Sequence, residues 1–143
     1  MSEASPRRRA RELVLKALYA EAVGEWDYRE IESDIIADDE LSARALKFAR
    51  SLYTAVRENR QWADEIISSL AENWKLERIA TVDRSIMQIA LTELKETPDV
   101  PVKAVINEAL ELAKTFSTSA SIDPPPSNWN FSLASDIFVI SFW

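Results

Sequence analysis

The sequence contains neither cysteine nor histidine among its 143 residues. Without cysteine there can be no disulfide and no thiolate nucleophile, and without histidine the usual zinc sites and all histidine-based triads are excluded. An enzyme built from this chain would have to rely on carboxylates, lysines, tyrosines or hydroxyl groups alone. We therefore expect a protein that is not an enzyme and that uses no cofactor or metal.

Glycine is also scarce, because Gly24 is the single example. A β-sandwich or barrel needs many glycine-dependent turns, and a glycine-rich phosphate loop needs at least two glycines close together. No apolar run approaches the roughly 18–20 residues of a membrane span, and the basic segment 1–10 lacks the apolar core of a secretory signal. The composition therefore predicts a helical globular protein that is cytoplasmic and does not associate with membranes.

Charge is unevenly distributed along this acidic chain, whose net charge is −7. Residues 1–16 hold five basic side chains and two acidic ones, a local charge of +3 that leaves −10 for the remainder. Guanidinium groups bind phosphates and stack on unpaired bases, so this basic end is a candidate RNA-binding site. Its basic side chains are Arg7, Arg8, Arg9, Arg11 and Lys16.

A solvated, fraying helix start is the alternative explanation of this basic run. Basic groups at a helix N-terminus oppose the helix dipole, however, and each costs roughly a few tenths of a kcal/mol. Acidic residues are the usual choice at such a position. The unfavourable placement of the arginines therefore favours a binding role.

The spacing of apolar residues at intervals of three and four predicts six helices, and hence an all-α fold. Ser5 followed by Pro6 is a typical helix start, and the fifth helix has so wide an apolar arc that we expect it to be the most buried. The predicted helices run from Ser5 to Gly24, from Tyr28 to about Ala37, from Leu41 to Val56, from Arg60 to about Trp74, from Thr81 to Thr97, and from Pro101 to Phe116.

Two further residues allow more than one interpretation. Tyr19 could stack on an RNA base, although a lone tyrosine also fits partly buried packing. Asp83, at the start of the fifth helix, fits either a simple charge at the helix dipole or a polar contact to RNA or a partner. Neighbouring carboxylates have no companion group that suggests acid–base chemistry, so a carboxylate-based hydrolase is unsupported.

Three separated blocks of the sequence together match the pattern of one protein family. Residues 7–13 (RRRAREL) lead to the Ala-Leu-Tyr of residues 17–19, residues 82–94 read VDRSIMQIALTEL, and residues 99–116 read DVPVKAVINEALELAKTF. In this order and spacing the blocks resemble the NusB transcription antitermination family. The resemblance covers about residues 5–117, and the three blocks together are far more specific than any one alone.

The resemblance implies an all-α, NusB-like fold of two small helical sub-bundles, with no catalysis. It also implies binding of boxA-type single-stranded RNA in ribosomal RNA transcripts, together with the ribosomal protein called NusE and within the RNA polymerase antitermination complex. Some members of the family pair with themselves, so the resemblance is compatible with a homodimer, but the sequence does not decide between monomer and homodimer. By matching positions, the resemblance implies RNA contacts from Arg7, Arg8 and Arg9, flanked by Lys16 and Tyr19, and it places Asp83 and Phe116 near the RNA or partner surface. With Arg11 of the basic run, these residues form the predicted RNA-binding set.

Residues 1–117 are the expected RNA-binding domain, and residues 118–143 an atypical tail. The family normally continues with an acidic-serine turn and a final helix, whereas this tail carries the run Pro124-Pro125-Pro126 and an uncharged end. It is either a replaced or frame-shifted end, or a lineage-specific segment that folds back. Two other functions stay open: a helical protein-interaction module without RNA binding, and the RNA-binding part of a ribosomal RNA methyltransferase, some of which share this fold.

Overall fold

The computed structural model of the protein describes residues 5–24, 26–36, 41–70 and 81–117. These ranges consist of helices with short connections and contain no strand. The chain divides into two compact units, residues 1–58 and 59–143, each with its own helices. The predicted all-α fold of two small helical units is confirmed. The predicted tail at 118–143 lies outside the described residues.

The first unit begins with α1 (Pro6–Ala22), and its start is the one predicted from sequence. The Ser5 hydroxyl accepts a hydrogen bond from the backbone N–H of Arg8 at 3.1 Å, which satisfies an amide that has no partner within the helix. Ala10, which lies among the arginines, is fully buried. After Ala22 the chain turns at Gly24, whose φ of +77° suits a residue without a side chain.

The second helical segment differs from the predicted short α-helix. A capping box between Asp27 and Glu30 starts α2 (Tyr28–Glu30), because each side chain accepts a hydrogen bond from the other residue's backbone N–H. The chain then continues as a π-helical segment, Ile31–Ile36, in which Ile31 is fully buried. The spacing of isoleucines predicts helix here, but it does not distinguish the two helix types.

The third helix, α3 (Ala43–Glu58), packs along α1 and forms the core of the first unit. Phe48 lies against the arginines near the start of α1, whereas Tyr53, further along α3, donates a hydrogen bond of 3.0 Å to Glu21 near the end of α1. The two helices therefore run parallel, with their N-termini at the same end. Their buried side chains include Val14, Leu18, Ala49, Leu52 and Val56, and each large one contributes about 1.5–3 kcal/mol by leaving water.

The second unit contains α4 (Arg60–Leu70), α5 (Thr81–Glu96) and α6 (Val102–Leu112), followed by a π-helical segment, Ala113–Ser117. Eleven residues of α5 are buried, against seven in α1, so the prediction for α5 is confirmed. The part of the fourth predicted helix beyond Leu70 lies outside the described residues. None of the helices in the described ranges is long and apolar enough to cross a membrane.

Polar contacts connect α4 to α5. The Asp64 carboxylate accepts hydrogen bonds from Arg84 Nη2 at 2.6 Å and from Gln88 Nε2 at 2.7 Å. At the other end of the pair, the Asn59 side chain accepts a hydrogen bond from Lys95 Nζ at 2.7 Å and donates one to Glu96 at 3.2 Å. Because the start of α4 meets the end of α5, these two helices run antiparallel.

The end of the sixth predicted helix differs from the expected regular α-helix. Val105, Leu112 and Ala113 are buried on the predicted apolar face, but a π-helical segment begins at Ala113. A π-helical turn takes up one more residue than an α-helical turn, so the register of the face changes after Leu112. Phe116, within this segment, is half-buried.

Candidate nucleic-acid interface

The first turn of α1 carries three consecutive arginines, Arg7, Arg8 and Arg9, which we call the arginine cluster. Arg7 and Arg9 are exposed and Arg8 is half-buried. The first turn of α1 contains no acidic residue. The positive end of the helix dipole therefore adds to the charge of the cluster, and this end of α1 attracts anions such as phosphate.

Phe48 of α3 supports the base of this cluster. Its ring centroid lies 5.2 Å from the guanidinium carbon of Arg7 and 5.4 Å from that of Arg11. Cation–π contacts of this kind contribute about 0.5–2 kcal/mol each, depending on exposure. Sequence spacing gave no sign of Phe48, because its role depends on which helices pack together.

Arg11 differs from its neighbours because its residue is only 5% exposed. Its guanidinium group therefore reaches a ligand in solvent far less readily than those of Arg7 and Arg9. Arg11 contacts the same ring as Arg7, so it adds a positive charge beneath the exposed arginines and helps to fix the position of the Phe48 ring. The sequence predicted a direct RNA contact for Arg11, and the structure places it beneath the exposed residues.

Lys16 and Tyr19 continue the exposed surface of α1 beyond the arginine cluster. Arg9, Lys16 and Tyr19 are spaced by seven and then three residues, so they lie on one face of the helix over about 15 Å. Tyr19 is 44% exposed, which agrees with an accessible ring better than with buried packing. The face thus combines cations with an aromatic surface, the usual combination in sites for single-stranded nucleic acids.

The remaining two predicted site residues belong to the second unit. Asp83, near the start of α5, is only 3% exposed, so it is not the solvated helix-terminal charge that its position alone suggests. Phe116 is half-buried in the π-helical segment that follows α6. Six of the predicted residues therefore lie along α1, with Arg7 and Arg11 on the side of Phe48 and Arg9, Lys16 and Tyr19 on the exposed side, whereas these two lie on α5 and after α6.

The charge of α3 was not recognised from the sequence. Together α1 and α3 carry nine basic and three acidic side chains, a net charge of +6 in a chain whose total is −7, so that the rest carries −13. The first turn of α3, like that of α1, contains no acidic residue. Because the helices are parallel, the positive ends of both dipoles lie at the end where the arginine cluster is found.

Comparison with known proteins gives a consistent result. The sequence model of the NusB family matches residues 8–122. The transcription antitermination protein NusB of Symbiobacterium thermophilum is 40% identical over 124 residues, which cover 80% of each chain. The protein of the same name from Myxococcus xanthus is 39% identical over 119 residues, or 80% of this chain and 85% of the relative. The solved structure of T. maritima NusB has a TM-score of 0.79 at 30% identity, covering 98% of this chain and 93% of that one.

Proposed function

This chain belongs to the NusB family, and we propose that it acts in transcription antitermination by binding boxA-type single-stranded RNA of ribosomal RNA transcripts. The family consists of transcription antitermination factors and not of enzymes. The observation that carries the proposal is the exposed surface of α1: Arg7 and Arg9 lie in its first turn, at the positive end of the helix dipole, and Lys16 and Tyr19 follow on the face that Arg9 occupies.

The chemistry of this face suits a single RNA strand. The exposed guanidinium groups of the arginine cluster bind phosphates in a fixed planar geometry, and Lys16 adds a mobile charge. Tyr19 stacks on an unpaired base, an interaction worth about 1–3 kcal/mol. The ring of Phe48 holds Arg7 in position before RNA arrives, which lowers the entropy lost on binding.

The proposed assembly includes the ribosomal protein NusE and the RNA polymerase antitermination complex in the cytoplasm. Membership of the family supports this part of the proposal. NusE is expected to increase affinity for boxA RNA, because two surfaces then hold one strand. Self-association is tested by sedimentation equilibrium across a range of protein concentrations, and a constant monomer mass would exclude the homodimer.

A titration of fluorescently labelled boxA RNA, followed by anisotropy, tests the proposed function. Replacing Arg7, Arg8 and Arg9 together with alanine should raise the Kd by roughly 100-fold, since the variant cannot form three charge-assisted hydrogen bonds to phosphate. The matched control replaces Arg29, Arg50 and Lys103 with alanine. These three exposed cations lie outside α1, so the control should retain most of the affinity for RNA. Equal Kd values for the two variants would exclude the arginine cluster, and NusE binding without any RNA binding would indicate a protein-interaction module instead.

We further propose that residues 1–117 form the RNA-binding domain and that 118–143 is a replaced end. The change in composition after Thr118 supports this division, because the helical spacing and the many charged residues of the preceding segment give way to prolines and a segment whose charged residues are Asp123 and Asp136 alone. The gene sequence around codon 118 tests it. A frameshift predicts that another reading frame encodes an acidic-serine turn and a closing helix, and the absence of both from the other two frames would exclude a frameshift.

A further inference from the structure

The basic side chains of α3 do not belong to the arginine cluster and have no function so far. This helix carries Arg44, Lys47, Arg50 and Arg57 against a single acidic residue, Glu58. The first three are exposed. Like charges gathered on one surface repel each other, and this cost is offset when a polyanion binds there.

Phe48 shows which of these side chains adjoin the arginine cluster. Arg44 precedes Phe48 by four residues, so the two side chains lie on the same face of α3, one turn apart. The ring of Phe48 contacts the guanidinium groups of Arg7 and Arg11. Arg44 therefore lies on the side of α3 that meets the start of α1, and Lys47, three residues further on, lies next to it on the exposed surface.

Arg50 and Arg57 lie on a different side of α3. They are seven residues apart, or two turns, and so share one face. Arg57 stacks 4.1 Å from the centroid of the Tyr28 ring and lies 3.6 Å from a carboxylate oxygen of Glu21. That face therefore meets α2 and the end of α1, away from the arginine cluster. Arg44 and Lys47 continue the positive surface that begins on α1, and Arg50 borders Lys47 on the side away from Phe48.

We propose that the RNA-binding face extends from α1 onto α3, where Arg44 and Lys47 bind further phosphates of the same strand. This inference rests on the proposed function and adds a second row of contacts to it. RNA fits better than an acidic protein segment, because its backbone supplies a regular series of negative charges that can follow both helices. The exposed cations are spread over α1 and α3, so a ligand that contacts all of them must carry negative charges along its length, as an RNA strand does.

The salt dependence of RNA binding tests this extension. The full chain with Arg44→Ala and Lys47→Ala is titrated against single-stranded boxA RNA, without NusE, between about 50 and 200 mM salt. We expect the Kd to rise roughly tenfold. The slope of log K against log salt should fall in magnitude by about 1.4, which is 0.7 for each phosphate that the variant no longer neutralises.

A charge-matched variant, Arg29→Ala with Lys103→Ala, serves as the control. It removes the same net charge from exposed positions outside the proposed face, so a general effect of protein charge would appear equally in both variants. We expect the control to keep nearly the wild-type slope. Circular dichroism melts of all variants verify folding, and Arg44→Lys with wild-type Lys47 should retain most of the affinity.

Three outcomes separate this inference from the proposed function. If the Arg44 and Lys47 variant behaves like its control while the triple-alanine variant of the arginine cluster loses affinity, the extension is wrong and the proposed function stands. If wild-type protein does not bind boxA RNA, the proposed function fails and the extension with it. If the Arg44 and Lys47 variant weakens binding of NusE alone and leaves RNA binding intact, α3 contacts protein and the extension is wrong.

Discussion

At the scale of single residues, burial separates the basic side chains that can reach RNA from those that support them. Arg7 and Arg9 are exposed, whereas Arg11 is buried against Phe48 although it belongs to the same run of sequence. The ring connects α1 to α3 and holds two guanidinium groups at once. Phe48 is therefore a positioning residue, which acts on RNA through the arginines that it contacts.

Replacing Phe48 with leucine tests the positioning role that the proposed function gives it. Leucine keeps most of the apolar volume but has no aromatic face, so neither arginine retains its cation–π interaction and the free energy of unfolding should fall by about 1–2 kcal/mol. The Kd for boxA RNA should rise several-fold, because Arg7 is no longer held in place. Urea unfolding and anisotropy measure the two effects, and a variant that is less stable but binds RNA with unchanged affinity would contradict the positioning role.

Tyr19 provides a second test on a single residue. Because the ring is 44% exposed, Tyr19→Ala should change the free energy of unfolding by less than about 0.5 kcal/mol. The absence of base stacking should nevertheless weaken RNA binding by about 1–3 kcal/mol. Tyr19→Phe is the matched control and should bind as wild type does. Weak binding by the phenylalanine variant would instead assign the interaction to the hydroxyl group.

At the scale of helices, the start of α3 carries a charge that opposes its own stability. Arg44 lies in the first turn, where the helix dipole favours acidic residues. Arg44→Glu should therefore raise the free energy of unfolding by about 0.5 kcal/mol while it weakens RNA binding. Thermal unfolding at low salt measures the first effect and anisotropy the second. A variant that is destabilised, or that binds RNA more tightly, would contradict this interpretation of α3.

For the contacts between α4 and α5, we expect a substitution to change the free energy of unfolding and to leave RNA affinity unchanged. Asp64→Ala leaves Arg84 and Gln88 without their shared acceptor, and this should lower the free energy of unfolding by about 1–3 kcal/mol. Glu65→Ala removes an exposed neighbouring carboxylate and should change it by less than about 0.5 kcal/mol. Both variants should bind RNA with wild-type affinity while folded. A large loss of affinity in the Asp64 variant would place part of the RNA site in the second unit.

At the scale of the whole molecule, positive charge is concentrated on two helices of an acidic chain. The net charge of +6 on α1 and α3 is set against −13 elsewhere. Such a separation restricts a polyanion to one part of the surface, because the acidic remainder repels it. The total of −7 alone argues against nucleic-acid binding, and only the positions of the charges reverse that conclusion.

Sequence spacing predicted the features that depend on neighbouring residues. The helix start at Ser5 and the buried α5 follow from local patterns and are confirmed. Spacing could not predict the contact of Phe48 with Arg7, because about 40 residues separate them and their meeting depends on the parallel packing of α1 with α3. The role of α3 was missed for the same reason. The π-helical segments were missed because apolar periodicity hardly distinguishes them from α-helix.

Photochemical cross-linking with mass spectrometry tests the central claim most directly, because it locates the RNA on the protein. Wild-type protein bound to a single-stranded boxA RNA is irradiated, digested and sequenced, with a scrambled RNA of equal length as the control. Cross-links should concentrate at Tyr19 and in the peptides that contain the arginine cluster and the start of α3, and should be weaker with the scrambled RNA. Cross-links confined to residues 59–117, or absent with boxA RNA, would contradict a binding face on α1.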